Sequence, residues 1–454
     1  MSTICAVSTA QGGAIGVVRV SGDASISICD KIFRPFKGGK SLCSSTARQA
    51  RYGTIIDPNN ENSIIDDVVA ITYRGPHSYT GEDSVEIMCH GSSYILQSVM
   101  DLLVENGCTL ARPGEYTQRA FLNGKMDLSQ AEAVADLIAS SNRASHQIAI
   151  NQLRGHFSSH LQQLRSQLLK LTSLLELELD FSDHEELEFA DRKELLSLAE
   201  DIDRHISKLS ASFETGQAIK RGIPVAIVGK TNVGKSTLLN RLIKDERAIV
   251  SDIHGTTRDT IEDCIDINGI SFRFIDTAGI RQSTDTIEQI GIERTFQAIE
   301  KAKIILWVID SMPTKDERED MEKRCQDRTL ITVWNKIDLE EPQQDFNTSQ
   351  YAISISAKND ININALEDII YKSANIPELT ENDVIVTSAR HYNSLQYAHN
   401  GLQNVCNGLK TNLSGDLLAE DLRSVINSLS EITGNQITTQ ETLNNIFSHF
   451  CVGK

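Results

Sequence analysis

The chain has 454 residues, of which 40% are hydrophobic, and this is more than one core normally holds. We therefore expect two or three domains. Lysine and arginine number 44 against 62 acidic residues, and the net charge of -18 argues against a protein that binds nucleic acid by broad phosphate neutralisation.

The termini and the cysteines indicate the compartment. The N-terminus MSTICAVSTA lacks a basic leader, and the most apolar later stretch, Ile304–Ile309, is too short to cross a bilayer. Nine cysteines without a C-x-x-C pair fit neither a disulfide framework nor a zinc module. We expect a cytoplasmic protein with no membrane partner.

The first half of the chain divides into two kinds of pattern. Residues 1–121 carry β-branched runs such as IGVVRV and DDVVAITY between polar turns, which predict an α+β N-terminal domain. In residues 122–216 glycine and proline nearly vanish, and leucines recur every three or four positions, a helical stripe. Its members are Leu161, Leu164, Leu168, Leu171 and Leu175.

The second half repeats the contrast. Residues 217–382 begin with the buried-strand run GIPVAIVG and then alternate strands with helices, which is typical of a doubly wound α/β domain. Residues 383–454 are helical again. Since neither helical stretch looks self-sufficient, we predict one discontinuous all-α domain with an α/β P-loop domain inserted into it. The predicted fold class is therefore multidomain.

A phosphate-binding loop is predicted at GKTNVGKS, residues 229–236. The segment matches G-x-x-x-x-G-K-S, in which Gly229 and Gly234 let backbone amides wrap phosphates. Lys235 then meets the β and γ phosphates, and the Ser236 hydroxyl binds Mg²⁺. The strand before the loop and the helix after it place the phosphates at a helix N-terminus. A simple glycine turn is the alternative.

Two switch segments follow in order. GTTRD places Thr257 where it would complete magnesium coordination and sense the γ phosphate. Asn268-Gly269 predicts a type I′ hairpin that delivers Asp276, the Walker B carboxylate of DTAG, to a strand end. Gly279 would offer its amide to the γ phosphate. The alternative, that DTAG is only a turn, requires the order of motifs to be accidental.

Two further motifs predict guanine recognition. NKID follows the strand TLITVW, so Asp338 can accept hydrogen bonds from guanine N1 and its exocyclic amine while Asn335 supports the loop. SAK would set a backbone amide against the base carbonyl. The complete set of predicted GTP contacts is Asn232, Val233, Gly234, Lys235, Ser236, Thr237, Ser251, Asp252, Ile253, His254, Gly255, Thr256, Thr257, Asp276, Thr277, Ala278, Gly279, Asn335, Lys336, Asp338, Ser356, Ala357 and Lys358.

The usual water-positioning glutamine is absent. GTPases of the Ras type carry it directly after DTAG, where this chain has Ile280. Either hydrolysis is slow, or a cation and a carboxylate elsewhere in the chain replace the glutamine by stabilising charge and orienting the attacking water. Asn232 can bind a monovalent cation together with the segment 251–256; the alternative is a polar residue that fills the loop. Glu288 is the candidate water-positioner; the alternative is a helix-surface glutamate.

These residues resemble a known family. GIPVAIVGKTNVGKSTLLNRL, AIVSDIHGTTRD and IDTAGIRQSTDTIEQIGIER are similar to the tRNA-modification GTPases of the MnmE (TrmE) family. RPGEYTQRAFLNGKMDLSQAEAVADLI, LLAEDLRSVINSLSEITG and the terminal FCVGK resemble the same family, so the likeness spans essentially the whole chain.

The resemblance implies a potassium-activated GTPase that works as a homodimer through its N-terminal domain. With an FAD-dependent partner, MnmG (GidA), in a heterotetramer, it would add an aminomethyl-type group at carbon 5 of a wobble uridine in certain tRNAs. The one-carbon unit would come from 5-formyl- or methylene-tetrahydrofolate.

The resemblance also implies particular site residues. Catalysis would involve Glu288, Lys235 and Thr257; Mg²⁺ would bind Ser236 and Thr257; and K⁺ would bind Asn232, Ser251, Ile253 and Thr256. The folate contacts would be Arg19, Glu86, Lys125 and Lys454, which residue chemistry alone would assign to surface charges. Cys451 would join the modification chemistry, and a buried structural cysteine is the alternative.

Two other classes of protein share the GTPase motifs. A ribosome-assembly GTPase of the Era or Der kind needs an RNA module with a basic face or a G-x-x-G loop, and the helical tail containing GDLLAEDL shows neither. A nucleotide-gated scaffold would have the switches without a folate pocket. Folate binding therefore separates these hypotheses.

Overall fold

In a computed structural model, the described residues form two sheets and a set of long helices. The structure describes residues 2–10, 12–36, 39–180, 192–245, 263–275, 297–325, 328–340, 351–377, 380, 383–434, 440–448 and 450–453. Several predicted site residues lie outside these ranges, namely residues 251–257, residues 276–280, Glu288 and Lys454.

The N-terminal sheet has seven described strands in the order β3-β4-β5-β6-β2-β1-β7. They are β1 (Ile4–Val7), β2 (Ile15–Ser21), β3 (Phe33–Pro35), β4 (Gln49–Asp57), β5 (Asn60–Tyr73), β6 (Ser84–His90) and β7 (Thr109–Leu110). Neighbours are antiparallel except β1 and β7, which are parallel. Alternate residues of β2 such as Val18 and Val20 are buried in a core shared with helices α1 (Ser25–Ile32) and α2 (Ser93–Glu105). The predicted strands IGVVRV and DDVVAITY are confirmed as β2 and part of β5.

Five helices of the described residues follow this sheet. They are α3 (Glu115–Leu122), α4 (Leu128–Ala139), α5 (Arg143–Leu153), α6 (His156–Asp180) and α7 (Arg192–Arg221). The predicted leucine stripe lies along α6, and each of its five members is at most 2% exposed. The 3.6-residue period therefore identified the buried face correctly.

The second sheet has six described strands in the order β13-β12-β11-β8-β10-β9. They are β8 (Ile223–Val228), β9 (Asp263–Ile267), β10 (Ile270–Phe274), β11 (Ile304–Ile309), β12 (Thr329–Trp334) and β13 (Ala352–Ser354). All neighbours are parallel except β9 and β10. Helices α8 (Lys235–Asp245), α9 (Lys315–Arg324) and α10 (Ile363–Ser373) connect or follow these strands. Every residue of β11 is buried, as expected of a central parallel strand.

The turn between β9 and β10 is the predicted type I′ hairpin. Asn268 has φ 53° and Gly269 has φ 82°, so both central residues are left-handed, as this turn requires. The Gly269 carbonyl accepts a hydrogen bond from the Ala144 amide of α5 at 3.0 Å. The hairpin tip therefore contacts the first turn of a helix outside the sheet.

The C-terminal helices are α11 (Ala389–Lys410), α12 (Gly415–Thr433) and α13 (Gln440–Ser448). As predicted, the two helical stretches of the chain pack together, since α12 lies against α6. Phe447 of α13 shares a small core with Leu128 of α4. None of the helices in the described ranges is both long and apolar enough to cross a bilayer.

The chain divides into two units. One comprises Met1–Ala135, Gln152–Leu195 and Asn407–Lys454, and the other Asp136–Asn151 and Leu196–Cys406. Each unit joins segments that are far apart in sequence, which is the discontinuity expected of an inserted domain. The three boundaries between the four segments given above stay a prediction.

Candidate nucleotide and small-molecule sites

The predicted phosphate loop connects the end of β8 to the start of α8. Gly229 has φ 153°, and a Cβ there would lie 2.2 Å from the Val308 carbonyl oxygen. Gly234 has φ 98°, and its Cβ would lie 2.2 Å from Asn335 Nδ2. Both positions therefore require glycine, for backbone conformation and for space. Helix α8 begins at Lys235, so its N-terminal amides face the loop, where they favour anions.

Lys235 is held by the loop that it would serve. Its Nζ donates to the carbonyls of Gly229 at 2.7 Å and Lys230 at 2.6 Å. Burial lowers the pKa of Lys235, because the protein withdraws the ammonium from water and the residues that the structure describes place no anion beside it. An arriving phosphate would supply that anion. The geometry is therefore that of a cation positioned to receive a negatively charged ligand.

Asn335 joins the phosphate loop to the predicted guanine loop. Its Nδ2 donates to the Val233 carbonyl at 2.8 Å, and its Oδ1 accepts from the Ala357 amide at 3.0 Å. Asn335 is only 3% exposed, so neither bond competes with water. The predicted supporting role of this asparagine follows from this geometry.

The predicted guanine-reading residues stand next to one another. Asp338 is exposed and accepts a hydrogen bond from the Ser356 hydroxyl at 2.5 Å. Lys336, with φ 69°, donates its Nζ to the Asp310 carboxylate at 2.7 Å. Asp310 was not among the predicted residues, and nothing in its local sequence indicates this contact. The carboxylate of Asp338 is accessible to donors of a bound base.

Asn232 lies in the phosphate loop with φ 63° and an exposed side chain. An amide oxygen there is open to a cation. The other predicted potassium ligands, like the switch residues and Glu288, lie outside the described residues. The loop is also tied to α9, because Lys230 Nζ lies 2.6 Å from Glu317 Oε1.

A second constellation lies on the N-terminal sheet, where the predicted folate contacts Arg19 and Glu86 occupy opposed positions on β2 and β6. Arg19 donates to Glu86 Oε1 from Nε at 3.1 Å and from Nη2 at 2.9 Å. They line a cavity of about 170 Å³ with Tyr73, Tyr79, Thr80 and Ser84. Arg19 thus already carries a counterion, the carboxylate of Glu86.

The tyrosines of this cavity were missed by the sequence reasoning. Burial and the Glu86 carboxylate raise the pKa of Tyr73, whose hydroxyl donates to Glu86 Oε2 at 3.2 Å. The Arg19 guanidinium lies over the Tyr79 ring, 5.5 Å from its centroid. The register of β5 against β6 would have been needed to predict the position of Tyr73. This residue lies opposite Ser84, on the strand that carries Glu86.

The other described residues predicted at the N-terminal site, Lys125 and Cys451, are not among those that line the cavity. The Nζ of Lys125 donates to the Pro76 carbonyl at 2.8 Å. Cys451 is exposed, so the alternative of a buried structural cysteine is wrong. Its backbone carbonyl accepts from the Gly114 amide at 3.3 Å. The Gly453 carbonyl accepts from the Ser8 hydroxyl at 3.1 Å, so the chain terminus lies beside the N-terminal sheet.

Comparison with known families gives a consistent result. A family model described as "GTP-binding protein TrmE N-terminus" matches residues 3–125, and one described as "MnmE helical domain" matches residues 128–451. Curated relatives named "tRNA modification GTPase MnmE" match all of this chain. The protein of Bacteroides thetaiotaomicron is 53% identical with 99% of its own length covered, and that of Flavobacterium johnsoniae is 46% identical with 99% covered.

Solved structures give a weaker likeness. The G domain of the FeoB iron transporter of T. maritima is 19% identical, with 34% of this chain and 99% of that chain covered and a TM-score of 0.26. A GTP-binding protein from Sulfolobus solfataricus in complex with GDP is 21% identical, with 46% and 66% covered and a TM-score of 0.24.

Proposed function

The chain belongs to the MnmE family of tRNA modification GTPases, and from that premise we propose that it binds and hydrolyses GTP to support tRNA modification. The observation that carries the proposal is the pair of hydrogen bonds made by Asn335, which we call the Asn335 bridge. It joins the phosphate loop to the predicted guanine-reading loop. A simple glycine turn at residues 229–236, the alternative to a phosphate loop, would not require a hydrogen-bonded connection to the predicted guanine-reading loop.

The described residues support nucleotide binding directly. Lys235 and the first amides of α8 would bind the β and γ phosphates, and the Asp338 carboxylate would accept from guanine N1 and the exocyclic amine. The Ser236 hydroxyl, at the start of α8, would hold Mg²⁺ with Thr257, and the metal would neutralise charge on the phosphates. Discrimination against adenine follows, because adenine offers no donor at N1.

Hydrolysis without the usual glutamine is proposed to depend on K⁺. Asn232, Ser251, Ile253 and Thr256 would hold the cation, and Glu288 would orient the attacking water. The exposed, left-handed Asn232 in the loop supports this assignment. A cation there would supply the positive charge that an arginine finger supplies elsewhere.

The modification step is proposed to use a folate one-carbon unit bound at the N-terminal cavity. Glu86 keeps one lone pair on Oε2 after accepting from Arg19 and Tyr73, and this can accept from a pterin N–H. Two tyrosines beside it suit a flat heteroaromatic ring. At about 170 Å³ the cavity holds only the ring end of a folate, below the ~300 Å³ of a typical small-molecule site.

The wider proposal follows the family. The protein would act as a cytoplasmic homodimer and join an FAD-dependent MnmG (GidA) partner to modify carbon 5 of a wobble uridine. Lys125, Lys454 and Cys451 would take part at the N-terminal sheet, and the chain terminus lying there supports a role for the last two.

Two measurements test this function. GTP hydrolysis by the full chain should be faster in K⁺ than in Na⁺, and Asn232→Ala should remove the difference while GDP binding persists; equal rates in both salts would overturn the cation role.

Wobble-nucleoside analysis of tRNA from a deletion strain should show loss of the modification. A deletion strain whose wobble uridines keep their modification would exclude a role in tRNA modification. A defect in ribosome assembly in that strain would favour the Era or Der class.

A further inference from the structure

Arg241, on the phosphate-loop helix α8, reaches the predicted guanine loop. Its Nε donates to the Ala357 carbonyl at 3.4 Å and its Nη2 to the Lys358 carbonyl at 3.2 Å. Asp360 Oδ1 lies 3.6 Å from the same Nε. One guanidinium therefore spans two successive peptides, a task suited to its planar fork.

Fixing these carbonyls also fixes amides. In a trans peptide the C=O of one residue and the N–H of the next lie in one plane and point in opposite directions. Holding the Ala357 carbonyl towards Arg241 therefore turns the Lys358 N–H away from Arg241. The direction of this N–H is set by a side chain that would not itself touch the base.

The neighbouring amides have other partners. Ala357 N–H donates to Asn335 Oδ1 at 3.0 Å, and Asn359 N–H donates to Ser356 Oγ at 3.2 Å. Within the described part of the chain, the Lys358 N–H has no such hydrogen bond. Lys358 is exposed, so its amide is accessible to a ligand.

We propose that Arg241 is a specificity-determining positioning residue, which aims the Lys358 amide at the 6-oxygen of guanine. The inference rests on the proposed GTP site. An N–H aimed at this point favours a 6-oxo acceptor and opposes the 6-amino donor of adenine. Asp338 would accept from N1 and the 2-amino group, which are different atoms from the 6-oxygen, so the two contacts can be tested separately.

Three nucleoside diphosphates separate them in titrations with the full chain. GDP carries both features, IDP lacks the 2-amino group, and 2-aminopurine riboside diphosphate lacks the 6-oxygen together with the N1 hydrogen. The loss at N1 is the same for wild type and variant, so a change in this preference on substitution of Arg241 reports on the 6-oxygen. With Arg241→Met, we expect GDP binding to weaken about tenfold, the scale of one hydrogen bond. The preference for GDP over the 2-aminopurine nucleotide should fall by the same factor. The preference for GDP over IDP should stay unchanged.

A matched control is available in Arg328, which also donates to two backbone carbonyls, those of Arg324 at 3.3 Å and Glu300 at 3.0 Å. Arg328→Met should leave both preferences unchanged. Arg241→Lys keeps the charge but not the fork, and should give an intermediate 6-oxygen preference.

The outcomes separate the possible roles. Equal weakening of all three nucleotides by Arg241→Met would mean a merely structural role and would overturn the proposal. If that variant does not fold, a wild-type 6-oxygen preference in Arg241→Lys would overturn it instead. Failure of the wild-type protein to bind GDP would contradict the proposed function itself.

Discussion

The side-chain amide of Asn335 hydrogen-bonds the backbone carbonyl of Val233 at 2.8 Å, across 102 positions of the sequence. This bond joins the end of β12 to the phosphate loop. Because Asn335 is buried and its oxygen accepts from the Ala357 amide, the two loops that would grip opposite ends of a nucleotide share one residue. Their separation is fixed before a ligand arrives, which lowers the cost of binding.

Replacing Asn335 by aspartate tests this bridge. The substitution sets an oxygen against the Val233 carbonyl and leaves that buried acceptor without a donor, which costs about 1–3 kcal/mol. We expect GDP affinity to fall roughly 10- to 100-fold in titration calorimetry. Asn400→Asp, at an exposed position of α11, is the control and should change nothing. Unchanged affinity in the Asn335 variant would show that the bridge does not organise the site.

Lys235 predicts a proton uptake on binding. Burial lowers its pKa in the protein without nucleotide, and phosphates would restore the charged form and raise that pKa. At a pH between the two values the complex holds more protons than the free protein, so binding takes up a proton and weakens as the pH rises. Calorimetry at pH 7 and at pH 9, in buffers of different ionisation enthalpy, measures this uptake.

The expected result is a larger proton uptake at the higher pH, and Lys235→Met should abolish it. Folding stability has the matching sign. The unfolded lysine keeps the higher pKa and binds more protons in that window, so this lysine makes stability increase with pH through it. An uptake at pH 9 that survives Lys235→Met would assign the proton to another group.

The Arg119 cluster, in which Arg119 lies between Glu82 and Glu115, predicts a large stability effect. Its guanidinium, 4% exposed, contacts Glu82 Oε2 at 3.1 Å and Glu115 Oε1 at 2.9 Å. Arg119→Met would remove the counterion of the largely buried Glu82 and leave Glu115 with only its exposed ion pair to Arg112, at a cost of about 3–5 kcal/mol. Arg112→Met, which removes an exposed ion pair to the same Glu115, should cost less than about 1 kcal/mol. Urea denaturation at pH 7 measures both.

The Arg119 effect should also depend on pH. Burial raises the pKa of Glu115, but hydrogen bonds from the Arg112 amide and from Arg119 outweigh it, so that pKa lies below its usual value. The stabilisation is present above the unfolded pKa and is lost as the pH falls through the folded one. The difference between wild type and Arg119→Met should therefore shrink in acid. A constant difference would mean that packing, not charge, holds the cluster.

Local sequence rules predicted much of the fold because they describe local physics. The Asn268-Gly269 turn needs two left-handed residues, and the leucine stripe of α6 needs only a helical period. The phosphate loop is similar, since Gly229 and Gly234 adopt positive φ values that favour glycine. Each of these features is specified within about twenty residues.

Contacts between distant segments could not be predicted in this way. Nothing in TLLNRLI indicates that Arg241 donates to carbonyls 116 and 117 positions later. The pairing of Arg19 with Glu86 depends on the register of β2 against β6, which alternation alone does not fix. Cys451 shows the same limit, because its exposure depends on how the terminal backbone docks on Gly114.

The central claim, that this site reads guanine through Asp338, is tested most directly by Asp338→Asn. An asparagine amide can donate to the 2-oxygen of xanthine but no longer accepts from guanine N1 and the 2-amino group together. We expect the variant to bind XDP in preference to GDP. GDP affinity should fall by about 100-fold, because the hydrogen bonds from guanine N1 and from the 2-amino group are both weakened or lost. A variant that keeps the wild-type preference for GDP would contradict the assignment of this loop and, with it, the GTPase account.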